Sequence, residues 1–338
     1  MTFRATMFKH GVIGAAVCST TLAFGVSTAM ADTMLRLAIP DPAHSSVGRA
    51  ANEFAALVEE KTDGEVRAQV FADGVLFSGD QNAAINQLGS GALDGLVLAS
   101  SVYASFIPQM NAISLPYLFE DYDELQAYLQ GAPGQQLLDE LGRLNIHGLG
   151  FFLRTFRNVT TRDTPITQMA DFEGVTLRTP NNPLFVTLFE SLDANPTPMA
   201  FSEVYSALQL KAIDGQENPV EVPLNNRFYE VQHQLNLTRH VADAFVLGLS
   251  ERAWQRIPEQ YHEDVQAAAN EMIEQHNREE IAQEQNIIEE LRQKGMKVNE
   301  LTAEAREAIR EKARGLYGQF ERDIGADFVR TSVDFVEQ

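Results

Sequence analysis

Between residues 34 and 250 the chain alternates short apolar runs with amphipathic stretches, and this alternation restricts the architectures open to it. Residues 34–39 read as a first strand. Ser45 or Ser46 can cap a following helix that carries Phe54, Leu57 and Val58 on one face, and Gly64 lies just beyond its end. Val66, Ala68 and Val70 alternate as a strand does, and a helix from about residue 80 to 88 with an apolar strand over 93–99 repeats the unit. After a helix near 134–144 the rhythm resumes, with strands at 146–153, 175–179 and 240–248 and helices at 183–192 and 203–212. Such repetition predicts an α/β chain whose sheets are covered by helices on both faces. From residue 258 to about 294 the chain is nearly all helix former, with Val265, Ala268, Met272, Ile287, Ile288 and Leu291 on apolar faces. A helix of that length would measure roughly 50 Å and could cross from one domain to another. A helical hairpin lying on one domain fits the same pattern.

The chain has 338 residues, 44% of them hydrophobic, so it folds around cores rather than staying disordered, and its length suits about two domains. Its first 31 residues read as a secretory signal: a basic head with Arg4, Lys9 and His10, an apolar stretch over 11–26, and Ala29-Met30-Ala31 as a cleavage site. The mature chain is expected to start at Asp32. As a membrane anchor the apolar run falls short of the roughly 20 residues that a span needs. Cleavage would remove Cys18, the one cysteine, leaving a disulfide-free secreted protein of a kind typical of the bacterial periplasm. The 26 Lys and Arg stand against 47 Asp and Glu for a net charge of −21, which argues against nucleic acid as a partner. Such acidity fits a salt-rich habitat or simply a well-solvated surface, and any anion the protein binds must be held by local cations.

Signatures of common enzymes are missing: G-x-x-x-x-G-K-[ST], G-x-G-x-x-G, G-x-S-x-G, H-E-x-x-H and paired C-x-x-C. The histidines beyond residue 31 are scattered, so no metal site and no cofactor are expected. What stands out is Arg178, which ends the strand Val175-Thr176-Leu177 just before the loop Thr179-Pro180-Asn181-Asn182. Ligands of open α/β sheets sit at such carboxyl ends, and a guanidinium fork suits a carboxylate. A surface ion pair explains the same arginine equally well. Arg157, Asn218 and Phe201 gain meaning only if the fold gathers them.

The run Pro-Thr-Pro-Met-Ala-Phe-Ser-Glu-Val-Tyr-Ser-Ala-Leu-Gln-Leu-Lys-Ala-Ile-Asp-Gly-Gln-Glu-Asn-Pro, residues 196–219, resembles the signature of the extracytoplasmic solute receptors of tripartite ATP-independent periplasmic (TRAP) transporters, the DctP-type receptors for C4-dicarboxylates and sialic acid. The likeness extends to Gly174-Val175-Thr176-Leu177-Arg178-Thr179-Pro180, Phe228-Tyr229-Glu230-Val231-Gln232, Leu115-Pro116-Tyr117 and residues 89–94. It implies a two-lobed periplasmic binding protein with a cleft between the lobes, crossing strands and a long hinge helix. One lobe would comprise residues 32–154 and about 243–282, the other residues 155–242 and about 283–338.

The resemblance also implies roles for individual residues. Arg178 takes the position of the arginine that grips the ligand carboxylate. Arg157, before Asn158-Val159-Thr160-Thr161, matches the second arginine better than Arg154 does. Asn218 falls on the asparagine of the D-G-x-E-N-P segment, and Phe201 on an aromatic that packs on the ligand in some members. Where sialic acid receptors carry a glutamate this chain has Ala99, flanked by Ser100 and Ser101, so C4-dicarboxylates and sugar acids such as uronates rank above sialic acid. The loop at residues 40–45 is expected to line the opposite wall. A monomer that delivers a small organic acid to integral-membrane TRAP subunits follows. The competing classes are a secreted enzyme acting on an organic acid, with Glu203, Glu217 or Asp214 as base, and a ligand-sensing receptor without transport.

Overall fold

Ser45 starts the first helix as its sequence position demands: its Oγ accepts a hydrogen bond from the Gly48 amide at 3.0 Å. The computed structural model describes residues 1–2 and 33–337, so the expected signal sequence lies, Met1 and Thr2 apart, outside the described residues. The first half of the chain runs β1 (Thr33–Ala38), α1 (Ser46–Lys61), β2 (Val66–Phe71), α2 (Gln81–Gly89), β3 (Gly95–Ala99), α3 (Ser100–Tyr103), α4 (Tyr122–Gln130), α5 (Ala132–Glu140) and β4 (Ile146–Leu153). Phe54, Leu57 and Val58 of α1 are buried against β1 and β2, each full burial contributing about 1.5–3 kcal/mol.

The second half runs β5 (Arg157–Thr161), β6 (Thr176–Thr179), α6 (Pro183–Ser191), β7 (Asn195–Pro198), α7 (Val204–Gln209), β8 (Gly215–Asn218), α8 (Glu221–Asn225) and β9 (Gln234–Val241). It continues through β10 (Ala244–Ser250), α9 (Glu251–Arg256), α10 (His262–Gln293), β11 (Lys297–Glu300), α11 (Ala303–Arg314), α12 (Tyr317–Ile324) and α13 (Ala326–Val336). These strands form two sheets, in the orders β2-β1-β3-β10-β4 and β11-β9-β5-β8-β6-β7. β1 lies parallel to β2 and β3, whereas β10 runs antiparallel to β3 and β4. In the second sheet β6 is parallel to β7 and β8, and β5 is antiparallel to β8 and β9. The expected α/β, two-lobed architecture is therefore present.

Two segments carry the chain side by side from one sheet to the other. β4 ends with Leu153 opposite Ala244, and β5 begins with Arg157 opposite Val241, so residues 154–156 and 242–243 cross together. The stretch expected as one strand over 240–248 is thus divided: His240 and Val241 close β9, and β10 starts only at Ala244.

The expected long helix is a single helix, α10, of 32 residues, not a hairpin. It packs on α1 and β4, and farther along on α8 and β11. Its middle holds the end of β4: Asn277 Oδ1 accepts from the Leu153 amide at 2.8 Å, and His276 Nε2 lies 3.0 Å from the Leu153 carbonyl. Five strands went unread in the sequence, β5, β7, β8, β11 and all but the end of β9, and β5 shows the reason. It contains one apolar residue, Val159, yet all five of its residues are buried. Its polar side chains are satisfied by each other's neighbours, Thr160 by Gln216 and Gln232 and Thr161 by Asn236. A strand wired in this way carries no hydrophobic alternation.

Candidate ligand-binding site

The four residues singled out from the sequence meet where the two sheets join. Arg178 is the third residue of β6, in register with Gln216 on β8; Asn218 ends β8, and Arg157 opens β5. Phe201 follows β7 on a short 3₁₀ turn, Phe201–Glu203. All four line one narrow cavity of about 40 Å³, with Pro40 and Asp41 from the loop after β1, and Gln81, Ala99 and Ser101 from the first sheet's side. Phe201, Arg178 and Gln81 continue into an adjoining hollow of about 50 Å³. A larger groove, about 960 Å³ along α5, β4 and α10, contains none of these residues and no arginine.

Arg178 is 4% exposed, and its Nε and Nη2 both donate to the Met199 carbonyl, at 3.0 and 2.7 Å. Among the described residues it forms no ion pair. Burial pulls its guanidinium down to about 10, with nearby Glu217 opposing and Arg157 adding to the fall. At neutral pH it is still a cation, desolvated and without a carboxylate.

Arg157 is the opposite case. Its Nε and Nη2 reach both carboxylate oxygens of Glu217 at 2.6 and 2.7 Å, its Nη1 reaches Asp243 at 2.7 Å, and Nη2 also donates to Asn218 Oδ1 at 3.2 Å. Burial opposes its charge, but Glu217 and Asp243 outweigh burial and raise its pKa. The Asn218 amide in turn donates to Gln216 Oε1 at 2.6 Å. Glu217 would be raised by burial, yet the Arg157 guanidinium holds it down at about 2, with His240 Nε2 a further 3.2 Å neighbour.

Sequence reasoning passed over Arg154 and Asp243. Arg154 also lines the cavity; its Nη1 donates to Asp243 at 3.0 Å, its Nη2 approaches Glu221 at 3.4 Å, and its guanidinium carbon lies 4.5 Å over the Phe245 ring. Asp243 therefore sits between two arginines and accepts from Ser100 and Ser101 as well, at 3.0 and 3.3 Å. It lies on one crossing segment, while Arg154 opens the other and Arg157 follows it, so these bonds lock the two together. The only sequence signal for Asp243 was an acid interrupting the apolar run 241–247. Among the described residues no group of three His, Cys, Asp or Glu is placed to hold a metal ion. The chemistry on offer is anion capture by one unneutralised guanidinium beside an aromatic wall.

A match to the family described as bacterial extracellular solute-binding protein, family 7, covers residues 38–323. The chain belongs to this family. The receptor is 32% identical over 300 residues to the sialic acid-binding periplasmic protein SiaP of Vibrio cholerae, covering 88% of this chain and 92% of that one. Its structure is similar to the sugar acid binding protein DctPAm from Advenella mimigardefordensis in complex with galactonate. There the TM-score is 0.86 at 30% identity, with 90% of this chain and 97% of that one covered. It is also similar to a TRAP periplasmic solute binding protein from Sulfurospirillum deleyianum with bound succinate, at a TM-score of 0.83 and 27% identity, covering 89% and 98%. The receptor puts Ala99 on the cavity wall and turns Ser100 and Ser101 toward Asp243. Among the described residues, no helix is long and apolar enough to cross a membrane.

Proposed function

We propose that this receptor captures a small carboxylate, a C4-dicarboxylate or a sugar acid such as a uronate, and delivers it to the membrane subunits of a TRAP transporter. One observation carries the reading: Arg178 is a buried guanidinium facing the cavity with only a carbonyl for a partner. The ligand carboxylate completes its fork. Arg157 keeps one Nη1 hydrogen free of the bonds that hold it, Asn218 keeps one amide hydrogen, and Phe201 supplies an apolar wall. Residues 1–31 act as a cleaved signal that sends the chain to the periplasm as a monomer.

We assign residues 32–154 with about 243–282 to one lobe and residues 155–242 with about 283–338 to the other. In support, every strand of one sheet falls in the first set and every strand of the other in the second. The terminal helices α12 and α13 reach back to Pro108–Ala112 and α4. Ligand that touches both lobes only when they are shut favours the shut state, and shutting dehydrates the Arg178 ion pair. No chemistry is needed. Glu217, the best-placed candidate base, is spent on Arg157 and ionised down to about pH 2; Asp214 accepts from the Thr176 amide at 2.9 Å, away from the cavity.

The test is calorimetry on Arg178→Ala. Loss of measurable binding with an unchanged melting temperature is expected, and near-wild-type affinity would remove Arg178 from the role. In thermal melts of the wild type, a ligand at 100 times its Kd adds about 2.7 kcal/mol. NMR of protein with ligand should show no turnover, and deletion should abolish uptake, as a sensor without transport would not require.

A further inference from the structure

Resting on the reading of the cavity as a carboxylate site, the geometry points to a narrower ligand class: a monocarboxylate bearing hydroxyl groups, an aldonic or uronic acid, with Asp41 as the residue that rejects a second carboxylate. The argument is one of charge. Three guanidiniums line the cavity, those of Arg154, Arg157 and Arg178. Two are already matched: Arg157 by Glu217 and Asp243, and Arg154 by Asp243 and Glu221. These pairs are internal to the protein, formed by side chains at most 6% exposed, and they leave those arginines little attraction for a further anion. Only Arg178 has positive charge to spare, enough for one carboxylate.

Asp41 stands on the wall given by the loop after β1, 8% exposed, and contributes a fourth carboxylate to the three that hold the arginines. Among the described residues its side chain forms no ion pair; burial raises its pKa, with Arg154 and the Asn226 amide opposing and Asp73 adding to the rise. Dicarboxylate bound through Arg178 would bring its far end toward Asp41 and the carboxylates that already hold Arg154 and Arg157, with no spare cation to receive it. In this desolvated setting like charges repel strongly. A hydroxyl there has the reverse effect, because an aspartate oxygen accepts its hydrogen bond, with Gln81 and Ser101 as further polar partners on the same lining.

The experiment is calorimetry of the wild type against aldonates and uronates of four to six carbons and against succinate, malate and fumarate, repeated with Asp41→Asn. The expected result is at least tenfold tighter binding of one hydroxylated monocarboxylate than of any dicarboxylate. In Asp41→Asn that monocarboxylate should weaken about tenfold while dicarboxylates hold or gain affinity. A wild type that prefers a dicarboxylate overturns the inference and leaves the carboxylate receptor standing. Equal weakening of both classes in Asp41→Asn overturns the role of Asp41. If neither class binds, the carboxylate reading itself falls. Should Asp41→Asn fail to fold, the wild-type ranking still decides.

Discussion

Glu280 gives the sharpest stability prediction. It lies in the middle of α10, 4% exposed, with Oε1 lacking any hydrogen-bond partner among the described residues and Oε2 no nearer than 4.0 Å to His276 Nε2. Burial and the neighbouring Glu221 push its pKa up to about 8, against the pull of Ser46, Arg154 and Arg49. An acid raised in the folded state contributes stability that is complete below its unfolded value of 4.5 and is lost as pH rises through 8. At pH 7 the separation from 4.5 is 2.5 pH units, which at 1.36 kcal/mol each amounts to about 3 kcal/mol. Glu221, itself raised by burial, shares the load, so this figure is a ceiling. Glu280→Gln, permanently neutral and of the same shape, should be close to neutral at pH 4.5 and stabilise the receptor by about 1–3 kcal/mol at pH 7–8. Guanidinium denaturation at pH 5, 6, 7 and 8 reads this directly as a gap between variant and wild type that widens with pH. A gap that stays constant, or a wild type more stable at pH 8, would refute the reasoning.

Two further outcomes follow from packing. A methyl group on Gly215 of β8 would stand 2.2 Å from the Thr160 carbonyl on β5, a backbone atom that cannot swing away. Gly215→Ala should therefore cost about 1–3 kcal/mol in urea melts, and an unchanged midpoint would show that the strands can part. Trp254, the only tryptophan, is stacked between His147 and His262 at centroid distances of 3.9 and 4.1 Å and does not line the cavity. Its fluorescence should stay unchanged on adding a saturating ligand, and a shifted emission maximum would mean that α9 takes part in closure.

How much of this was legible in the sequence depended on whether the signal was local. Ser45 capping α1, the start of α2 near residue 80 and the 3.6-residue spacing in α10 are local, and each fell where the sequence put it. Arg178 was legible for the same reason, since a strand ending at a Pro-Asn-Asn loop marks its own carboxyl end. β5 was not, because its polar residues are buried through partners on β8 and β9 that lie more than 50 residues away. Helix α4 was missed although Asp121 caps it, because the chain around it, from Leu115 to Phe119, offers no periodicity that announces a helix. At the site, the family resemblance favoured Arg157 over Arg154, but only the fold shows that both line the cavity and that both are already neutralised.

That neutralisation sets one arginine among the three apart. Asp243 ties Arg154 and Arg157 across the two crossing segments, at 3.0 and 2.7 Å, and removing it would leave two buried cations short of a partner. The paired arginines thus act as a frame that fixes the crossing rather than as open anion hooks. Arg178 stands just outside that frame, on β6, held only by the Met199 carbonyl. Its pKa, lowered by burial to about 10, records the cost of keeping a cation dry without a counter-charge. On the proposed reading a carboxylate arriving at Arg178 would relieve that cost, whereas Arg157 has a single Nη1 hydrogen to offer beside Glu217 and Asp243, so the ligand's acid end is expected at Arg178.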